Sequence, residues 1–258
     1  MTRIGLLFPG EMGAAVGAAA RGDVLWASEG RSAETAERAS SFRDVGSLGA
    51  LVAESEIVLS ICPPGIAEDV ARRVADAGFD GLYVEANAIA PHRAERIAST
   101  AGLRVVDGSI LAKGALDLYL SGDDEDVRRV AALFEDTDVH ALPLPGGIGA
   151  ASALKMAFGG WNKIGVLLAA QAQAIAAAYG VGEALAAEGV PTESVVRAGP
   201  KAWRWAAEMH EVADTCAALG LPDGLGRAAA EVCARWEAHR GRTPELDELL
   251  ADLARGAA

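Results

Sequence analysis

The feature that most constrains this chain is a change of rhythm at residues 143–149, PLPGGIG. Before it, short apolar runs alternate with helical stretches. RIGLLF, DVLWAS, EIVLSIC, GLYVEA, RVVDGSI, LDLYLSG and VHALPL read as strands, and helices are expected over 10–20, 33–40, 66–77 and 92–100. Such β-α alternation predicts an α/β fold, a doubly wound parallel sheet covered by helices on both faces. IVLSI and LYVEA are almost continuously apolar, as strands buried on both sides are. Beyond PLPGGIG no strand pattern recurs. One long Ala-, Leu- and Ile-rich helix is expected over 150–179, then shorter ones near 192–199, 201–219, 224–240 and 244–255, with Pro191, Pro222 and Pro244 marking starts. The chain therefore reads as an α/β domain over 1–144 followed by an all-α domain over 145–258.

Charge and cysteine usage narrow the function classes. The net charge is -13 over 258 residues, and no Lys/Arg run offsets it, so nucleic acid is not an expected partner. Cys62, Cys216 and Cys233 are too few and too scattered for a disulfide framework or a zinc knuckle, and His92, His140, His210 and His239 show no ligand spacing. No metal is expected. The chain shows no signal-peptide pattern and no membrane span, since Gln171 and Gln173 interrupt the apolar run of the long helix. A cytoplasmic protein is expected.

The first strand runs into GLLFPGEMGAAVG. A dinucleotide turn needs a sharp bend, a close backbone approach to the pyrophosphate and close packing of the next helix, and the pattern G-x-G-x-x-G serves all three. Here Phe8 stands in the first glycine position, Pro9 fixes φ at the bend, and Gly10 and Gly13 hold the second and third. A cofactor is expected across Phe8, Pro9, Gly10, Glu11, Met12 and Gly13, its pyrophosphate on the helix end. The same stretch also fits a strand-turn-helix without ligand.

After the second strand, WASEGRSAET meets the position where this fold binds the adenosine ribose. Glu29 argues for NAD through the 2′-hydroxyl. Ser28, Arg31, Ser32 and Thr35 argue for NADP, because a guanidinium flanked by hydroxyls suits a phosphate. Ser32 or Thr35 equally fits a helix N-cap and Arg31 a solvated loop charge. NADP is the favoured expectation, with NAD left open.

Three further stretches line up with the turn: ICPPG at 61–65, EANAIAP at 85–91 and GGIGAASALK at 146–155. Together with GLLFPGEMG they resemble the β-hydroxyacid dehydrogenase family, related to 6-phosphogluconate dehydrogenase, and most of all a shorter branch whose C-terminal domain has no assigned role. The similarity spans almost the whole chain, and its most specific part is the spacing of Gly146, Gly149 and Lys155. The resemblance implies a Rossmann-like first domain and a helical second domain that closes the cleft. It implies hydride transfer between nicotinamide and a hydroxy or keto substrate, with Lys155 as acid/base. It places Cys62, Pro63, Pro64 and Asn87 near the nicotinamide. Burial among apolar neighbours would bring the lysine toward the working range.

The chain departs from the family where the substrate is held. The family has an asparagine one turn after the lysine, and this chain has Gly159, with Asn162 on nearly the same face one turn further. In DGSILAKGA, Leu111 replaces a serine and Lys113 a glycine, leaving Ser109 to offer a hydroxyl and Lys113 an anion contact. Two other readings stay open. One is an imine reductase of the same architecture, against which the retained lysine weighs. The other is a non-catalytic dinucleotide-binding protein.

The long helix is apolar around most of its circumference and, at about 1.5 Å per residue, about 45 Å long. The few short helices that follow do not cover it, so a homodimer through the helical domain is expected, as the resemblance also implies.

Overall fold

The computed structural model describes residues 1–100, 102–112 and 114–254, and the chain divides into two compact units, Met1–Lys155 and Met156–Ala258. The division falls inside the long helix rather than at residue 145.

In the first unit the strands are β1 (Arg3–Leu7), β2 (Asp23–Trp26), β3 (Arg43–Asp44), β4 (Ile57–Ser60), β5 (Leu82–Glu85), β6 (Arg104–Ala112), β7 (Leu116–Ser121) and β8 (Val139–Pro143). Among the described residues they form one sheet in the order β3-β2-β1-β4-β5-β6-β7-β8. β1 pairs with β2 on one side and β4 on the other, Gly5 lying opposite Leu25 and Val58. The winding reverses there, and ligands of open α/β sheets bind outside the carboxyl ends of the strands at such a point. All pairs are parallel except β6 with β7. The expectation of a parallel sheet fails at this pair because only residues 113–115 join the two strands, too short a link for a crossover.

The helices of this unit are α1 (Glu11–Ala19), α2 (Ala33–Arg38), α3 (Leu48–Glu54), α4 (Ala67–Asp76), α5 (Pro91–Thr100) and α6 (Asp124–Ala131). Alternate strand residues feed two apolar layers. Ile4, Leu6, Ile57, Leu59 and Val84 pack on one face, and Leu7, Val58, Tyr83 and Val105 on the other. Burying each such side chain stabilises the fold by roughly 1.5–3 kcal/mol.

α7 (Ala150–Ala178) begins in the first unit and continues into the second, which adds α8 (Gly182–Ala187), α9 (Glu193–Ala198), α10 (Trp205–Ala218), α11 (Gly224–Arg235) and α12 (Leu246–Ala254). α10 and α11 approach closely at Gly226, where a Cβ would lie 2.9 Å from Ala213 and from the Met209 carbonyl. No helix among the described residues is long and apolar enough to cross a membrane.

Candidate active site

The chain leaves β1 through Phe8, whose φ is 61°. Glycine enters this left-handed region freely, whereas another residue loses about 1–2 kcal/mol there. Phe8 thus keeps the backbone of the glycine it stands for. The Gly10 amide donates to the Phe8 carbonyl at 2.7 Å and closes the turn. Pro9 is buried, Glu11 is exposed as the first residue of α1, and Met12 is half-buried. A Cβ at Gly13 would lie 2.6 Å from the Phe8 carbonyl oxygen, so helix and turn meet only because that residue is glycine. At Gly10 the nearest atom to a Cβ would be the same oxygen at 4.0 Å, and this side is open. A tight third glycine and an open second one are what a dinucleotide pyrophosphate requires of this turn.

A cavity of about 520 Å³ lies beside the turn, lined by Phe8, Ala27, Glu29, Arg31, Leu48, Val70 and Arg73 among others. The Arg31 guanidinium lies over the Phe8 ring, 3.8 Å from its centroid. Burial, then the neighbouring Arg73 charge, hold Arg31 below the ordinary arginine range. Arg31 Nε is buried without a hydrogen-bond partner. Ser32 caps α2, its hydroxyl accepting from the Thr35 amide at 3.3 Å. The Ser28 amide donates to Asp44 at 3.2 Å.

A second cavity of about 160 Å³ is lined by Met12, Ile61, Cys62, Pro64, Ala86, Asn87, Ala88, Ile110 and Lys155. The carboxyl ends of β4 and β5, the first turn of α1 and the start of α7 converge here. Lys155 Nζ donates to the Ile110 carbonyl at 2.7 Å. Asn87 ties the wall together. Its Oδ1 accepts from the Cys62 amide, and its Nδ2 donates to Ser60 Oγ at 3.1 Å and to Glu85 Oε1. Glu85 also accepts from the Asn87 amide at 3.1 Å. Full burial pushes the Glu85 carboxyl up to about 8, against donation from Asn87. Burial and Glu85 push the Cys62 thiol up to about 12, so it stays protonated at neutral pH and is a poor nucleophile. Pro63 is exposed beside this cavity's wall.

The helix that carries Lys155 starts on a buried carboxylate that the sequence reading overlooked. Asp107 Oδ2 accepts from the Gly149 and Ser152 amides at 2.9 and 3.0 Å, and its Oδ1 accepts the Ser152 hydroxyl at 2.6 Å. Ser121 donates to Asp107 at 3.2 Å and accepts from the Ala151 amide at 3.0 Å. Burial raises the Asp107 carboxyl above its usual range even so. The available signal was a lone acid inside the apolar strand RVVDGSILA.

Ser109 is not part of this cavity's lining. Ser109 is 1% exposed, and its hydroxyl is buried without a partner. Lys113 lies outside the described residues. Gly159 and Asn162 belong to the second unit, where Asn162 is exposed. Gly159 faces Glu208 of α10, and a Cβ there would lie 2.5 Å from Oε1. The other carboxylate oxygen of Glu208 forms a largely buried ion pair with Lys163.

Residues 176–236 match a domain of unknown function, DUF1932. No curated protein is matched. Several solved structures are similar over nearly their whole length. A 3-hydroxyisobutyrate dehydrogenase from Mycobacterium tuberculosis, solved with L-serine, is 19% identical, covers 99% of this chain and 100% of its own, and has a TM-score of 0.72. A conserved protein of unknown function, described as structurally similar to 3-hydroxyacid dehydrogenases, is 23% identical over 92% of this chain and 98% of its own, with a TM-score of 0.68. An imine reductase variant from Myxococcus stipitatus, solved with NAD+, is 20% identical over 98% and 99%, with a TM-score of 0.54. The chain has the dehydrogenase fold, a Rossmann-like sheet unit followed by a helical unit.

Proposed function

We propose that this protein is an NAD(P)H-dependent oxidoreductase acting on a hydroxy or keto substrate, with Lys155 as the acid/base. The observation that carries the reading is the single cavity shared by Lys155, Asn87, Cys62 and Met12 at the carboxyl ends of the central strands. The fold and its dehydrogenase and reductase relatives support it. Phe8 through Gly13 would hold the pyrophosphate, Arg31 with Ser28 and Ser32 the ribose phosphate, and Cys62, Pro63, Pro64 and Asn87 the nicotinamide side. When bound, the dinucleotide supplies or accepts a hydride at the substrate carbon.

The residues do the remaining work. The Ile110 carbonyl fixes Lys155 Nζ, which gives a proton to a substrate carbonyl oxygen or takes one from a hydroxyl. Asn87 holds the Cys62 amide and so the loop that walls the cavity. Arg31 favours NADP over NAD, because its buried Nε has no hydrogen-bond partner among the described residues and a guanidinium suits a phosphate. A second copy of the chain covers the second unit's exposed apolar stripe, Leu168, Ile175 and Tyr179 with Leu225, which borders a groove between α7 and α11.

Fluorescence titration with NADPH and NADH, followed by turnover assays over a panel of small carbonyl compounds, tests the reading. Micromolar binding with measurable oxidation of the reduced cofactor supports it. A wild-type protein that binds neither dinucleotide overturns it.

A further inference from the structure

We infer that Phe8 is a positioning residue for cofactor selection, its ring holding the Arg31 guanidinium above the turn where a 2′-phosphate on the adenosine ribose would be met. The inference rests on the reading that this turn seats a dinucleotide, and adds what the unusual residue does there.

Three observations meet at this pair. The backbone at Phe8 adopts a conformation that glycine would take without strain, so the side chain must return something for its presence. The ring is half-buried, with Arg31 stacked over it at 3.8 Å from the centroid. Arg31 is also short of partners. Its Nε is buried without an acceptor, and among the described residues neither Arg31 nor Arg73 has a carboxylate within 4.0 Å, although both line one cavity. The exposed Glu29 is the acid on that cavity's lining. Two like charges facing one opening, one of them partly desolvated, leave room for an anion.

A free arginine side chain loses considerable rotamer freedom when it grips a phosphate. Stacking on Phe8 restricts that freedom beforehand, so the loss on binding is smaller. The effect is confined to ligands that use Arg31. It distinguishes NADPH from NADH, which a purely structural role for Phe8 would not.

The test measures dissociation constants for NADPH and NADH on wild type, Phe8→Gly, Phe8→Leu and Phe8→Tyr, each also in an Arg31→Ala background. Phe8→Gly is expected to weaken NADPH about tenfold and NADH less than about twofold, a size typical of a partly desolvated cation–π contact. Phe8→Leu, which keeps an apolar side chain without a ring, should lose NADPH affinity likewise, and Phe8→Tyr should retain it. In the Arg31→Ala background, Phe8→Gly should have no further effect. Equal losses for both cofactors, or a Phe8→Gly loss that persists without Arg31, would overturn the inference while leaving the dinucleotide reading intact. A wild type that binds neither cofactor overturns both.

Discussion

Asp107 on β6 accepts the hydroxyl of Ser152 at 2.6 Å, and its other oxygen accepts the Ser152 amide at 3.0 Å. Ser152 lies one turn before Lys155, so this pair sets where the lysine's helix begins. Asp107→Ala should remove the acceptor for the buried Gly149 and Ser152 amides and destabilise the protein by roughly 2–3 kcal/mol. Ser152→Ala should cost about 1 kcal/mol. Urea unfolding curves with unchanged slopes measure both. An Asp107→Ala protein as stable as wild type would show that the helix start is held by something else.

Lys155→Met should separate binding from chemistry. The substitution keeps most of the side chain's volume and removes its proton. Turnover should fall by about 10²–10⁴-fold, with NADPH affinity changed less than about twofold. Steady-state kinetics alongside a binding titration decide it. Retained turnover would move the acid/base role to another group.

The two glycines of the turn should fail differently. Gly13→Ala places a Cβ 2.6 Å from the Phe8 carbonyl, so it should reduce stability by about 1–3 kcal/mol. Gly10→Val, with open space around its Cβ, should fold normally and lose cofactor binding. Melting curves and NADPH titrations on the two variants should give opposite patterns, and identical patterns would argue against a phosphate at the turn.

Glu85 makes stability depend on pH. Its folded carboxyl is pushed up to about 8 from an ordinary value of 4.5, so the folded state holds a proton that the unfolded state has released. The stabilisation is complete below about pH 4.5 and is lost as pH rises through about 8. The loss is on the order of a few kcal/mol. Glu85→Gln should flatten this part of the stability profile, measured by denaturant unfolding at half-unit pH steps. Parallel profiles for wild type and variant would show that Glu85 ionises freely in the fold.

The apolar stripe on the second unit should bind a second copy. Light scattering after size exclusion should give about twice the chain mass of 26.4 kDa. Leu168→Glu with Ile175→Glu should shift it toward the monomer. A single species at the chain mass for wild type would leave the stripe without that partner.

The fold was legible wherever apolar rhythm was strong. β1, β4 and β5 announced themselves as buried runs, and the long helix matched its expected span within one residue. Other elements were not. α3, α6 and α8 were missed; α6 carries acids and arginines over most of its length, and β3 is a two-residue bridge at Arg43–Asp44. Only the family resemblance brought Met12, Cys62, Asn87 and Lys155 together in advance; their spacing along the chain does not by itself place them around one cavity. Asp107 and Glu85 could not be assigned roles in advance. Their significance lies in hydrogen bonds to residues distant in sequence or in burial depth, and neither quantity has a local pattern.

The close fit of Gly159 against Glu208 limits which sequences can be reached from this one by single changes. An asparagine at 159 would push the Glu208 carboxylate, the far end of a flexible side chain, from its place beside Lys163. Shortening Glu208 first would strip Lys163 of its partner in a nearly buried pair. A change at one of these positions therefore acts on the other two, and positions 159, 163 and 208 are expected to vary together among descendants of this chain. A designer who restores the asparagine has to find the Glu208 carboxylate a new place beside Lys163.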